Sequence, residues 1–223
     1  APAQIVLGDL HGINTLEHQP AKVAAMEGHF ESHPDGAPLY LFGIPNEEEQ
    51  RLDYAVGIPK LSSLILKHDL DAPVDGLDTV PDDEQPPVGI VFWSFRVMVA
   101  LGFAMLGIGL WSLWARLKGR LYTSRALHRA AVAMAPSGLV AVLAGWITTE
   151  VGRQPYTVYG LLRTADSAAP LDAASVSASF AAFVVVYAIV FGAGFLYLIG
   201  LMLRTPSHER AVEALEGPIR TAG

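Results

Sequence analysis

Six residues combine side-chain chemistry with an unusual setting. Arg96 is the only charge in the apolar run Val88–Ala115. It lies eight residues into that run, about 12 Å of helix from its start. A cation at that depth faces a partner, a cavity or a cofactor, or it snorkels to the interface along its own stem. Both routes are open on the residues alone. Met98 stands two residues further. A methionine in such a run packs, or offers its thioether as an axial ligand to haem iron. Glu150 and Arg153 close the next apolar run, and a pair three apart on a helix can form a salt bridge. Two cations, a carboxylate and a thioether at one depth would also suit an anionic cofactor such as haem, whose propionates match Arg. Lys22 and Glu27 are the third pair, in a stretch of good helix formers after Pro20. Five apart, they do not stack on one face, so they would flank a ligand from adjacent sides or be solvated surface.

His29 and His33 have the i,i+4 spacing that chelates metal on a helix, but Pro34 follows directly and ends such a helix, so no metal is expected there. The seven histidines are expected outside the apolar runs, with His128 at a border. The chain has no cysteine, which excludes disulfides, zinc–thiolate and iron–sulfur sites and a thiolate nucleophile. No phosphate-binding loop, dinucleotide fingerprint or serine elbow appears.

Three long apolar stretches must position these groups: Val88–Ala115, Ala130–Thr149 and Val176–Leu203, the last two without charge. About 20 such residues cross the hydrocarbon core, so the expected fold is an all-α membrane protein with three transmembrane helices. Trp93, Trp111, Trp114 and Trp146 near the ends fit interfacial belts. Gly102, Gly107, Gly109, Gly192, Gly194 and Gly200 suit close helix packing. Pro136 is expected to kink the second span.

Charge divides the chain in two. Residues 1–87 hold 4 Lys/Arg and 16 Asp/Glu, net −12, and residues 88–223 hold 11 and 6, net +5. An acidic half of this kind argues against a nucleic-acid partner. The connection after the first span carries Arg116, Lys118, Arg120, Arg125 and Arg129 without an acid, so the positive-inside rule assigns it to the cytoplasm. Residues 1–87 and 150–175 are then outside, and 116–129 and 204–223 inside, with a short helix expected around His208–Glu216. The outer segment 1–87 reads as partly helical, then irregular, with an acidic, proline-rich connector over 69–87 expected to be extended and mobile. Because the sequence opens at Ala1 in a segment assigned to the outside, a further membrane portion is expected upstream.

Several motifs in consistent order resemble subunit I of the bd-type quinol oxidases. They are Gly8-Asp9, Gln19-Pro20-Ala21-Lys22-Val23-Ala24-Ala25-Met26-Glu27-Gly28, Leu41-Phe42-Gly43-Ile44-Pro45, Phe92-Trp93-Ser94-Phe95-Arg96-Val97-Met98, and Glu150 with Gly152-Arg153-Gln154-Pro155. The resemblance implies the C-terminal part of that subunit: the quinol loop (1–87) and the last three of nine spans. It implies that Lys22 and Glu27 bind and oxidise quinol. Met98 would ligate the iron of a low-spin haem b with Arg96 beside it. Glu150 would ligate or neighbour a high-spin haem b, with Arg153 close by. A third haem, d or b, would complete the set. Histidines of the upstream part would supply the other ligands, a second membrane subunit would be the partner, and this fragment alone would not turn over. Tyr156 stands where the family usually has Trp, and the loop looks like the family's shorter form. The competing readings are a non-catalytic three-span anchor or assembly protein, and a quinone-binding subunit of another respiratory complex.

Overall fold

The computed structural model describes residues 2–167 and 169–203. The expected tail helix around His208–Glu216 lies outside them. Residues up to 168 and residues from 169 form two separate units.

The first unit begins with helix α1 (Pro2–His18), followed after one residue by α2 (Pro20–Glu27). Pro20 occupies the first turn of α2, where its missing N–H costs nothing and its fixed φ suits a helix. Gly28 ends the helix in the left-handed region at φ 75°, its N–H donating to Ala24 O. A strand hairpin comes next, β1 (Leu39–Asn46) against β2 (Arg51–Ile58), antiparallel, with irregular register around Phe42. Helix α3 (Leu61–Lys67) follows. Residues 69–87 are not a free connector. His33 and Val74 exchange backbone hydrogen bonds, and Val74 and Leu77 are buried. Two apolar side chains inserted beneath α2, and the Asp78 carboxylate accepting from Ser32, tie this acidic stretch down.

Helix α4 (Val88–Leu117) is the first span. The Glu47 carboxylate accepts the Gly89 N–H at 2.7 Å, a favourable charge at a helix N-terminus. The second apolar stretch is broken: α5 (Arg125–Ala133) and α6 (Ser137–Val151) meet at a turn over residues 134–136. Pro136 is the N-cap of α6, so the expected kink is an interruption. Arg125–Val151 as a whole is apolar and long enough to cross a membrane. His128 falls in its first turn, with Nε2 on Leu121 O at 2.9 Å. A small hairpin, β3 (Tyr156–Val158) and β4 (Leu162–Arg163), follows α6. Arg163 donates to Asp83 and Glu84, joining it to the acidic stretch.

The second unit is α7 (Ala173–Met202), a third helix long and apolar enough to span. Its 30 residues reach about 45 Å. Phe183, Tyr187 and Phe191 stack along one face. Among the described residues the protein is mostly helical, and the two sheets are two-stranded hairpins.

The core lies where α2 meets α4. Ala21, Ala24 and Ala25 pack with Val88 and Val91 on one side of α2, and Val23 packs with Leu66 and Val74 on the other. Alanine lets the backbones approach while keeping helix propensity high. A Cβ built on Gly28 would lie 2.7 Å from the Phe92 ring, which is fully buried. Gly28→Ala should therefore cost about 1–3 kcal/mol, from strain at positive φ and overpacking together. Thermal unfolding of the purified full-length protein checks this, and an unchanged midpoint would contradict the close seating of α2.

Candidate functional site

Arg96 projects from the N-terminal third of α4 toward α2 and β1. Its Nη1 donates to Met26 O at 2.7 Å and to Phe92 O at 3.1 Å. Its Nη2 donates to Tyr40 O at 2.5 Å and to Glu27 O at 3.4 Å. The guanidinium also lies 3.2 Å from the centroid of the Phe92 ring. The fork geometry of arginine makes this possible, because five donors in one plane can serve several acceptors at once. Of the two routes open from sequence, the cation takes the partnered one, and its partners are backbone carbonyls of the N-terminal segment. Nε remains buried with no hydrogen-bond partner among the described residues.

Glu27, the last residue of α2, is 6% exposed. Burial pushes its carboxyl up to about 7, against the opposing pull of the Arg96 charge. Its Oε2 has no partner among the described residues. An uncompensated buried oxygen costs about 1–3 kcal/mol, so this carboxyl is held at a cost to stability.

Lys22, one turn earlier and equally buried, points elsewhere. Its stem lies on Gly152, where an added Cβ would stand 2.9 Å from Lys22 Cγ. Burial lowers its amine's proton affinity, Arg153 lowers it further, and Glu150 opposes both. Glu150 and Arg153 pair at 2.6 Å, partly exposed. Lys22 and Glu27 thus sit on one buried helix, Lys22 beside the Glu150–Arg153 pair at the end of α6 and Glu27 beside Arg96 on α4.

Met98 faces the α4–α6 contact. A Cβ on Gly145 would meet its sulfur at 2.8 Å, so glycine there makes room for the thioether. Ser94 and Thr148 share a hydrogen bond at 2.9 Å across the same contact. Arg96 and Glu150, grouped by depth from sequence, make no direct hydrogen bond or ion pair with each other among the described residues; α2 contacts Arg96 through Met26 and Glu27, and Gly152, two residues from Glu150, through Lys22.

Sequence reasoning did not single out Gly145, Gly152 or Tyr40. Gly152 was visible only as part of a motif. His29 and His33 are near each other, with ring centroids 5.0 Å apart, but not on a helix, because α2 ends at Glu27. No group of three or more potential metal-ligating His, Cys, Asp or Glu side chains occurs among the described residues.

A membrane protein with a folded N-terminal segment seated on its first span by a partly buried arginine is the class these features define. The model of the cytochrome bd terminal oxidase subunit I family matches residues 1–206, and the chain belongs to that family. It is 33% identical over 193 residues to the cytochrome bd ubiquinol oxidase subunit 1 of Bacillus subtilis (strain 168), covering 82% of this chain and 41% of that protein. It is 27% identical over 223 residues to the cytochrome bd-II ubiquinol oxidase subunit 1 of Escherichia coli (strain K12), covering 71% and 43%. The solved structure of bd oxidase from Geobacillus thermodenitrificans matches with a TM-score of 0.76 and 34% identity, over 92% of this chain and 46% of that one. The chain therefore spans less than half the length of these relatives.

Replacing Arg96 by Leu removes the donors that hold Met26, Glu27 and Tyr40. Charge-assisted hydrogen bonds contribute about 1.5–3 kcal/mol each, so the 38–60 hairpin should be cut several-fold faster in limited proteolysis of the full-length protein. An unchanged cleavage rate would show that the hairpin is held by other contacts.

Proposed function

We propose that this chain is the C-terminal part of the quinol-oxidising, haem-bearing subunit of a bd-type terminal oxidase in a bacterial cell membrane. The observation that carries the reading is the seating of α2, which sets Lys22 against the end of α6 and Glu27 against Arg96, two residues from Met98. The five cations between Arg116 and Arg129 support a cytoplasmic connection there. Residues 1–87 and 150–175 then face outward, and 204–223 face the cytoplasm.

The residues present fit haem. Met98 offers a soft thioether, packed on Gly145, Arg96 has a buried Nε donor, without a partner among the described residues, that would suit a propionate, and Glu150 offers a carboxylate. Met98 would hold the iron of a low-spin haem b, with Arg96 beside it. Glu150 would hold or neighbour a high-spin haem b, with Arg153 near. Bound there, with a further haem b or a haem d, these groups would supply one-electron transfer and the reduction of oxygen to water. The remaining ligands would come from the N-terminal part of subunit I, and a second membrane subunit would complete the oxidase.

The chain's own residues prepare the quinol. Lys22 donates a hydrogen bond to a quinol oxygen. Glu27 takes the proton from the quinol hydroxyl, and a carboxyl titrating near neutrality is well matched to that task. Only the carboxylate form can accept the proton. With its affinity raised from 4.5 to about 7, that form fills as pH rises through 7, so quinol oxidation should rise over the same range. The sign for stability is opposite. The folded state prefers the neutral acid, so this group costs stability as pH climbs from about 4.5 to about 7. The test is the pH dependence of quinol oxidation by the full oxidase. The wild type should show a limb near pH 7. Glu27→Gln should remove it and lower turnover by about 10²-fold or more, and a Glu27→Gln enzyme with wild-type rate and profile would overturn the assignment.

A further inference from the structure

The turn between α4 and α5 takes no part in the quinol chemistry. It lies at the far end of α4, whose 30 residues carry it about 45 Å from the seated N-terminal segment. The turn is tightly folded. Gly119 adopts φ 67°, and the next N–H, that of Arg120, returns to Ala115 O at 2.8 Å. Ser124 caps α5, its Oγ accepting the Leu127 N–H at 3.4 Å, which satisfies one donor of the first helical turn. His128 Nε2 lies 2.9 Å from Leu121 O. Helix α5 packs back on the end of α4, with Ala115 and Leu127 buried.

This turn gathers Arg116, Lys118, Arg120, Arg125 and Arg129, all exposed. None of the five forms a salt bridge among the described residues. No acid is near in sequence either, since no Asp or Glu occurs between Glu84 and Glu150. Cations held together in this way repel one another, so an outside anion stabilises the turn. The apolar surface beside them selects the anion. Leu110, Trp114 and Leu117 recur at helical spacing along the end of α4 and are 58%, 54% and 78% exposed, so they share one face leading to the turn. Tyr122 is exposed between the two groups of cations. A free phosphate or an acidic peptide segment would use the charges and leave the apolar strip unused. A phospholipid uses both, its phosphate on the guanidinium forks and its acyl chains on the strip, with Trp and Tyr at the level between them.

We propose that the α4–α5 turn is a binding site for an anionic phospholipid, its phosphate among the five cations and its acyl chains along Leu110, Trp114 and Leu117. The site reads charge. A Lys or Arg near an anionic membrane surface contributes about fivefold in binding. A zwitterionic lipid carries its own cation beside the phosphate, and the same five groups repel it. The inference goes beyond the quinol and haem assignments and does not depend on them. It requires only that α4 crosses the bilayer.

The test uses the full-length protein in its complex, reconstituted in phosphatidylcholine vesicles that hold a small share of phosphatidylglycerol with a photoactivatable diazirine in one acyl chain. Phosphatidylcholine with the same diazirine is the comparison, and cross-linked peptides are mapped by mass spectrometry. The phosphatidylglycerol probe should label the stretch from Leu110 to Tyr122 at least about tenfold more than the phosphatidylcholine probe. Lys118→Gln, Arg120→Gln and Arg125→Gln together should cut that excess to about twofold or less. Salt at about 1 M, where charges are screened beyond about 3 Å, should do the same in the wild type, so the result does not hang on the folding of a variant. Equal labelling by the two probes in the wild type, or an excess that survives either the substitutions or the salt, would overturn the site. Absence of label from both probes would mean that a protein segment covers the turn, and would equally overturn it.

Discussion

A guanidinium inside an apolar helix must be satisfied, and the way Arg96 is satisfied determines much of the first unit. Carbonyls of Met26, Glu27 and Tyr40, from two elements of the N-terminal segment, accept its hydrogen bonds. Removing the cation would leave those carbonyls to find other donors, and removing the carbonyls would leave a charge in an apolar setting. Each half therefore holds the other in place. The end of α2 and the start of β1 are drawn onto α4, and Glu27 is buried as a consequence. The carboxyl's raised proton affinity is thus a by-product of the same contact that builds the fold.

A second tie acts at the other end of α2. Lys22 lies on Gly152 because that residue has no side chain, and the Glu150–Arg153 pair stands beside it. Small residues recur wherever close approach is needed: Ala21, Ala24 and Ala25 on α2, Gly28 beneath Phe92, and Gly145 under the Met98 sulfur. The helix is short, but it meets both α4 and the end of α6. In the proposed oxidase this would place the quinol residues and the haem-bearing turns on one rigid junction.

The spans were legible because long, nearly uncharged apolar runs have few other solutions, and all three are helical, the second with an interruption at residues 134–136. Their ends were less legible. The second begins earlier than its uncharged core, because Arg125, His128 and Arg129 sit in its first five residues, and Pro136 starts a new helix rather than bending one. The β1–β2 hairpin was missed for a physical reason. β1 is apolar on both faces over Leu39–Pro45, its register is irregular, and the turn after Asn46 is a run of glutamates without glycine. The acidic stretch 69–87 read as mobile because Val74 and Leu77 are a sparse signal among many charges. The candidate residues themselves were visible, through misplaced charge and through the family motifs. Their pairing was not. That Lys22 meets Gly152, and that Arg96 reaches Met26, depends on how α2 packs, which no spacing along the chain encodes.

The central claim is that the turn of α4 carrying Arg96 also carries a haem ligand, so that the arginine joins the quinol-facing segment to the electron acceptor. The most direct measurement is the reduced-minus-oxidised spectrum of the full oxidase with Met98→Leu. Leucine nearly conserves volume and removes the thioether. The predicted result is loss or shift of the low-spin haem b signal alone, with the high-spin signal retained. An unchanged low-spin signal would contradict the assignment of Met98 and the link it makes with Arg96.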